Sequence, residues 1–340
     1  MPHSNCSVCQ PPTTSFSSHP IGSLDTLARM LKHSIPELEN IAATADQRYR
    51  IGKRQLKKDG TFRDCYDALG DLKSIHARIQ CLILNKVSYP IYLQGSIKDP
   101  ACPRGQKANA RMHTSKRTMI TEDVKQFFPS VPSRIVFDIW HRFFRFPPIV
   151  ASVLTKLTTK DGSLPQGSKT SALLANLVFW EDEWRLVANL HERGIIYTRL
   201  IDDITCSSKT DLSTETTTDI ITRLHAMARR KGLRLHGGKQ TIARAGERLV
   251  TTKLVVNVKT ALPAELRSAI RASVGRLGRI PKAARMNHRY KRDYHSVSGK
   301  VAYLQQHHPN EGGQLREVLR GLAPPPATAE ESKHQHSGPS

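Results

Sequence analysis

The sequence lacks any apolar run approaching the roughly 18 residues that a bilayer-spanning helix needs, so no membrane partner is expected. Its opening stretch, MPHSNCSVCQPPTTSFSSHP, has no apolar core of the kind a secretion signal carries, and the cytoplasm is the expected location. Cysteine is scarce: Cys6, Cys9, Cys65, Cys81, Cys102 and Cys206 are scattered through 340 residues, which excludes a disulfide framework. Cys6 and Cys9 form a CxxC, but no second pair follows at the spacing of a four-ligand zinc site, and they read as reduced thiols. Acidic residues are also short, 29 Asp and Glu against 52 Lys and Arg, for a formal net charge of +23. Such an excess marks a polyanion binder, most often of nucleic acid. A membrane surface would ask for a basic helix with a strongly apolar opposite face, and none is present.

What is there reads as a globular α+β chain. Residues 1–22, rich in Pro, Ser and Thr, are expected to be a disordered tail, as are residues 324–340, PPPATAEESKHQHSGPS. Leu24, Leu27, Met30 and Leu31 fit a helical face, and a second helix is expected over Leu38 to Ala45. IGKRQLKKDGTFRD resembles a basic hairpin turning at Asp59-Gly60. Leu69, Leu72, Ile75, Ile79 and Ile83 recur at helical spacing. TMITEDVKQFFPSV reads as a strand ending at Pro129, and residues 133–145 and 148–158 as helices. The loop SLPQGSKT leads into one long helix from Ser171 to Arg193, with Gly194 placed to end it. IIYTRLIDDITCSS is strand, tight turn, strand. A helix over 214–231 and a β segment at RLVTTKLVVNVKT follow. From Pro263 the chain turns helical and basic, which argues for a separate C-terminal subdomain.

The stretch YTRLIDDITCSS puts Asp202 and Asp203 among apolar strand residues. Two adjacent carboxylates repel, and burying either without a partner is costly. A lone Asp-Asp on a surface turn would be ordinary, but here strand residues flank the pair on both sides. A second apolar strand, in ITEDVKQFFPS, ends in Asp123. Carboxylates brought together from two neighbouring strands suit divalent cations. Mg²⁺ takes oxygen ligands, and two such ions can activate an attacking hydroxyl and stabilise a leaving pyrophosphate.

DVKQFFPS, LPQGSKTS and LIDD, in that order, resemble the A, B and C motifs of reverse transcriptases. NARMH just upstream resembles the NAxxH signature of bacterial retron reverse transcriptases, and TTKLVVN (251–257) that family's VTGLVVN segment. The resemblance implies a right-hand polymerase fold: fingers over 23–117 with 132–162, palm over 118–131 and 163–260, and a helical thumb over 261–323. It implies Asp123, Asp202 and Asp203 as catalytic, metal-binding carboxylates, the Val124 carbonyl as a further ligand, and Lys239 as general acid near the pyrophosphate. Lys58 and Arg63 match residues that grip the triphosphate, Phe128 the bulky residue beneath the incoming sugar, and Gln166 a nucleotide contact. RNA contacts are implied for Asn109, His113, Lys253 and Asn257, and for Arg267, Arg271, Arg276 and Arg279 on the basic helices. Leu200-Ile201 stands where the family has Tyr-Ala, and Thr251 and Lys253 where it has Val and Gly.

The implied activity is RNA-directed DNA synthesis with two Mg²⁺ ions, Mn²⁺ being a substitute. It would start from a guanosine 2′-hydroxyl of a cognate noncoding RNA and leave a branched, multicopy single-stranded DNA. The implied partners are that RNA and DNA, dNTPs, a separately encoded effector protein serving phage defence, and a host ribonuclease H to trim the template. Two other readings remain open on these residues: a reverse transcriptase of intron, diversity-generating or abortive-infection type, and a non-catalytic RNA-binding scaffold.

Overall fold

The computed structural model describes residues 13–56, 60 and 62–325. Cys6, Cys9, Lys58, Asp59 and residues 326–340 lie outside the described residues. The described chain up to Thr252 forms one compact unit and that from Lys253 onward a second, so the division falls before TTKLVVN ends rather than after residue 260.

In the first unit, β1 (Ser15–Phe16) already corrects the expectation of a disordered tail over residues 1–22, at least from residue 13. Its Phe16 ring sits 4.8 Å from that of Phe144, edge on, and Ile21 is buried. Helix α1 (Leu24–Leu31) is capped by the Ser23 hydroxyl. Helix α2 (Ile35–Ala43) begins with a reciprocal Ser34–Glu37 capping box. The basic hairpin forms as β2 (Tyr49–Leu56) and β3 (Phe62–Ala68), antiparallel. Helix α3 (Gly70–Leu82) buries Leu72, Ile75 and Ile79, whereas Leu69 precedes it and is 38% exposed. Strand β4 (Val87–Ser88) pairs with β1, and α4 (Gln106–Met112) carries the NARMH stretch.

β5 (Thr118–Asp123) ends six residues earlier than Pro129. Gln126, at a left-handed φ of 47°, turns the chain into α5 (Phe127–Ser130) instead. α6 (Ser133–Asp138), a π turn over Ile139–Phe143 and α7 (Pro148–Thr158) follow. The single helix expected over 171–193 is two: α8 (Ser171–Leu177) and α9 (Glu183–Glu192). Between them the backbone tightens to three-residue bonds, Val178 N–H to the Ala175 carbonyl, Trp180 to Leu177 and Asp182 to Phe179.

β6 (Ile195–Leu200) and β7 (Asp203–Ser208) form the hairpin expected from the sequence. After α10 (Thr214–Arg230), β8 (Thr241–Arg244) completes an antiparallel sheet of order β6-β7-β5-β8. One hydrophobic core runs from α1 to Leu235, with Trp140, Phe144 and Phe146 stacked in it. The second unit is helical, as expected: α11 (Ala264–Gly278), α12 (His288–His307) and α13 (Pro309–Gly321). They bury Ile270, Val274, Val301, Leu304 and Leu319. Mixed helix and sheet in this order is the α+β class. No described helix is long and apolar enough to cross a membrane, and the described cysteines, Cys65, Cys81, Cys102 and Cys206, are free thiols.

Candidate active site

The β6–β7 turn consists of Ile201 and Asp202 alone, and Asp203 opens β7. Cross-strand register places Asp203 directly opposite Asp123 at the end of β5, and opposed residues share one face of a sheet. The Val124 N–H donates to the Asp202 carbonyl at 3.0 Å, fastening the two strand ends together. On the other side of β5, Lys125 N–H donates to Arg234 and His236 N–H to the Asp123 carbonyl. Burial raises the Asp202 carboxyl above its ordinary range, and the Asp123 charge raises it further, against the pull of Arg63 and Lys239. The two carboxylates therefore sense each other. Lys239 Nζ lies 2.7 Å from Asp123 Oδ2, with the lysine half-exposed.

The Asp202–Asp203 end of the hairpin opens on a cleft of about 630 Å³. Asp202 and Asp203 line it together with Arg63, Phe128, Gln166 and Lys160. Arg63 arrives on β3 of the basic hairpin, and Phe128 on the short helix that Gln126 initiates. The Gln166 loop is held from two sides. Tyr66 N–H donates to the Gln166 carbonyl at 2.7 Å, and Gly167, at φ +102°, passes so close that a Cβ there would meet the Tyr66 carbonyl at 3.0 Å. On the other side, buried His76 donates from Nε2 to the Leu157 carbonyl at 2.6 Å, which leaves Nδ1 to accept from the Ser168 hydroxyl at 3.0 Å. Burial lowers the His76 pKa, which suits that neutral, accepting form.

Several expected contacts are placed elsewhere. Lys58 lies outside the described residues. Asn109 and His113, expected to face RNA, are buried at 1% and 0% exposure. The His113 nitrogens bond Ser207 Oγ on β7 and Thr198 Oγ1 on β6, each at 2.7 Å. The NARMH helix thus clamps the back of the carboxylate hairpin, and a direct RNA contact from His113 is corrected to a structural one. In the second unit, Arg267 and Arg271 both bond Glu311, which occupies charges expected to meet phosphate. Arg276 donates to Ser273 Oγ at 3.0 Å, Arg279 and Lys253 are exposed, and Asn257 is half-buried. The residues missed from the sequence were Arg199 and Glu183, a fully buried ion pair beneath the turn. Their one visible signal was an arginine inside an apolar strand.

Among the described residues no three Asp, Glu, His or Cys side chains are grouped closely enough to cage an ion. What the sheet does bring together is Asp203 opposite Asp123 across the ladder, with Asp202 beside Asp203 in the turn. That set nonetheless suits Mg²⁺, which is usually held by one or two carboxylates with water and substrate phosphates completing the shell. The Lys239 ammonium on Asp123 shows where this site attracts positive charge. Asp202 is half-buried, and desolvation with the Asp123 charge raises its carboxyl despite Arg63 and Lys239 nearby.

The family model described as "Reverse transcriptase (RNA-dependent DNA polymerase)" matches residues 55–278. The chain is 33% identical over 316 residues to the Retron Se72 reverse transcriptase of Salmonella heidelberg, covering 91% of this chain and 82% of that one. It is 26% identical over 327 residues to the Retron Ec48 reverse transcriptase of Escherichia coli, covering 92% and 79%. With the Retron Ec86 reverse transcriptase of the same species the figures are 28% over 256 residues, covering 75% and 78%.

Proposed function

We propose, from the premise that this chain belongs to the retron reverse transcriptases and is an RNA-directed DNA polymerase, that Asp123 and Asp202 hold the catalytic metals of nucleotidyl transfer. Asp203 and the Val124 carbonyl complete that donor set. The observation that carries this reading is the Asp123–Asp203 register, with Asp202 one residue away at the mouth of the cleft. Two Mg²⁺ ions, or Mn²⁺ in their place, would neutralise the phosphates and lower the pKa of the attacking hydroxyl.

The chain's own residues then divide the remaining work. Arg63 grips the triphosphate from the hairpin, and Lys58, close to it in sequence, is proposed to join it. Gln166 contacts the nucleotide from a loop held by Tyr66 and His76. Lys239, whose Nζ bonds Asp123, is proposed to hand a proton to the departing pyrophosphate, a role its contact with that carboxylate supports. Phe128 lies under the sugar and excludes a 2′-hydroxyl by its bulk. Phe128→Ala is expected to lower the preference for dNTPs over rNTPs by about a hundredfold, read as the ratio of kcat/KM values in primer extension. An unchanged ratio would remove Phe128 from this role.

The biological reading is the family's. The substrate is a cognate noncoding RNA, primed at a guanosine 2′-hydroxyl and copied into branched multicopy single-stranded DNA. A host ribonuclease H trims the template, and a separately encoded effector couples the product to phage defence. Fingers, palm and thumb follow the ranges implied by the resemblance, with the basic helices over 261–323 as the thumb. Its surface charges, among them Arg279, Arg289, Arg292 and Lys300, suit recognition of an RNA stem by shape and phosphate contact. Coexpression with the RNA gene upstream of the coding sequence tests this directly. The expected product is a DNA that debranching enzyme releases from RNA. A chain that extends an annealed DNA primer but forms no 2′-linked DNA would keep the polymerase and reject this priming.

A further inference from the structure

Ile201 adopts φ +61°, a left-handed conformation that crowds the Cβ of a β-branched residue. Such a conformation persists only where its surroundings over-determine it, and it sits immediately before the two aspartates. Two contacts hold it. From one side comes Gly95, where a Cβ would lie 2.5 Å from Ile201 Cδ1 and 2.8 Å from its backbone nitrogen, so that only glycine permits the approach. From the other, Arg199 Nη1 donates to the Ile201 carbonyl at 3.0 Å.

Arg199 is itself held rigidly. Its Nε and Nη2 donate to Glu183 Oε1 and Oε2 at 2.5 and 2.8 Å, and Nη2 also donates to the Asn176 carbonyl at 2.9 Å. Glu183 Oε1 accepts in addition from the Tyr197 hydroxyl at 2.7 Å. The guanidinium lies 5.2 Å from the Phe179 ring, which stacks on Phe127 beside Phe128. Both partners are buried, and a buried ion pair is weak support for stability because desolvation offsets its attraction. The tightened backbone between α8 and α9 delivers Glu183 to this spot, so the pair has a cost in helix regularity as well.

We propose that the Arg199–Glu183 pair is a positioning device. It locks the Ile201–Asp202 turn in its left-handed form and so sets Asp202 against Asp123 for divalent-cation binding. This rests on the metal reading above. Arg199 and Glu183 touch neither substrate nor cation and act through the Ile201 carbonyl.

The test is Mn²⁺ binding to the full chain, measured by electron paramagnetic resonance and by calorimetry, alongside thermal unfolding. The double variant Arg199→Met/Glu183→Leu replaces the pair with apolar side chains of similar size, an exchange that buried ion pairs tolerate, while deleting the bond to Ile201. Its unfolding midpoint is expected to fall moderately, because the Tyr197 hydroxyl and the Asn176 carbonyl lose their partners in the same exchange. Its Mn²⁺ affinity is expected to fall about tenfold to a hundredfold, the usual effect of losing a group that orients a ligand, with kcat falling and KM for dNTP unchanged. Gly95→Ala disturbs the same turn from the opposite side without touching the ion pair. It is expected to weaken Mn²⁺ binding in the same way, and it decides the matter if the double variant fails to fold. A folded variant of either kind with parental Mn²⁺ affinity overturns the proposal. Asp123→Asn/Asp202→Asn is the control. If the parent binds no more Mn²⁺ than this control, the metal reading fails and takes the proposal with it; parental binding in the double variant sinks the positioning role alone.

Discussion

Asp202→Asn is expected to lower primer extension by at least about a thousandfold, a rise of roughly 4 kcal/mol in the barrier, while leaving the fold as stable as before or slightly more so. The two halves of that expectation have the same origin. Burial and the Asp123 charge both disfavour the ionised Asp202, so an isosteric neutral amide removes a repulsion from the folded state. The same change removes the charge that would hold a divalent ion beside Asp123. Extension rates at saturating Mg²⁺, set beside urea unfolding, measure both. A protein that unfolds more easily would show that Asp202 serves structure; one that extends primers at the parental rate would end the metal assignment.

The second large effect concerns pH and lies behind the sheet. Burial pushes the His113 imidazole down to about 3, far below its ordinary value near 6.5. A histidine with a depressed folded-state pKa binds its proton more tightly when unfolded. Its contribution to stability is therefore intact above about pH 6.5 and is lost as pH falls toward 3, at roughly 1.4 kcal/mol per pH unit. His113→Gln is expected to be less stable than the parent at pH 7, where it loses well-placed bonds to Thr198 and Ser207, but to flatten this dependence. Denaturant midpoints from pH 7 to pH 4, compared between the two proteins, cancel the titration of carboxylates common to both. Parallel curves would mean that the imidazole is not held neutral between the strands.

The NAxxH-like stretch shows why family likeness and side-chain geometry can point different ways. The motif picks out Asn109 and His113 as RNA contacts, whereas both side chains are buried. Helix α4 spans only Gln106–Met112, too few turns for hydrophobic periodicity to say which face meets the sheet. The same limit applies to Arg267 and Arg271. On α11 they read as a cationic face, and nothing local reveals that Glu311, some forty residues away, closes on both.

From the sequence alone came the α+β class, the basic character, the β6–β7 hairpin with its paired acids, the hairpin of Arg63 and the helical C-terminal unit. These are legible because each is a short-range pattern: strand alternation, helical spacing, a turn residue, a charge balance. Only the tertiary structure decided that Asp123 stands opposite Asp203, that the 171–193 stretch is two helices rather than one, and that His113 is buried. It alone brought Glu183 under the turn to meet Arg199. Register, burial and the partner of a charge are set by chain segments tens of residues apart, and the free energy that selects them comes from packing those segments together.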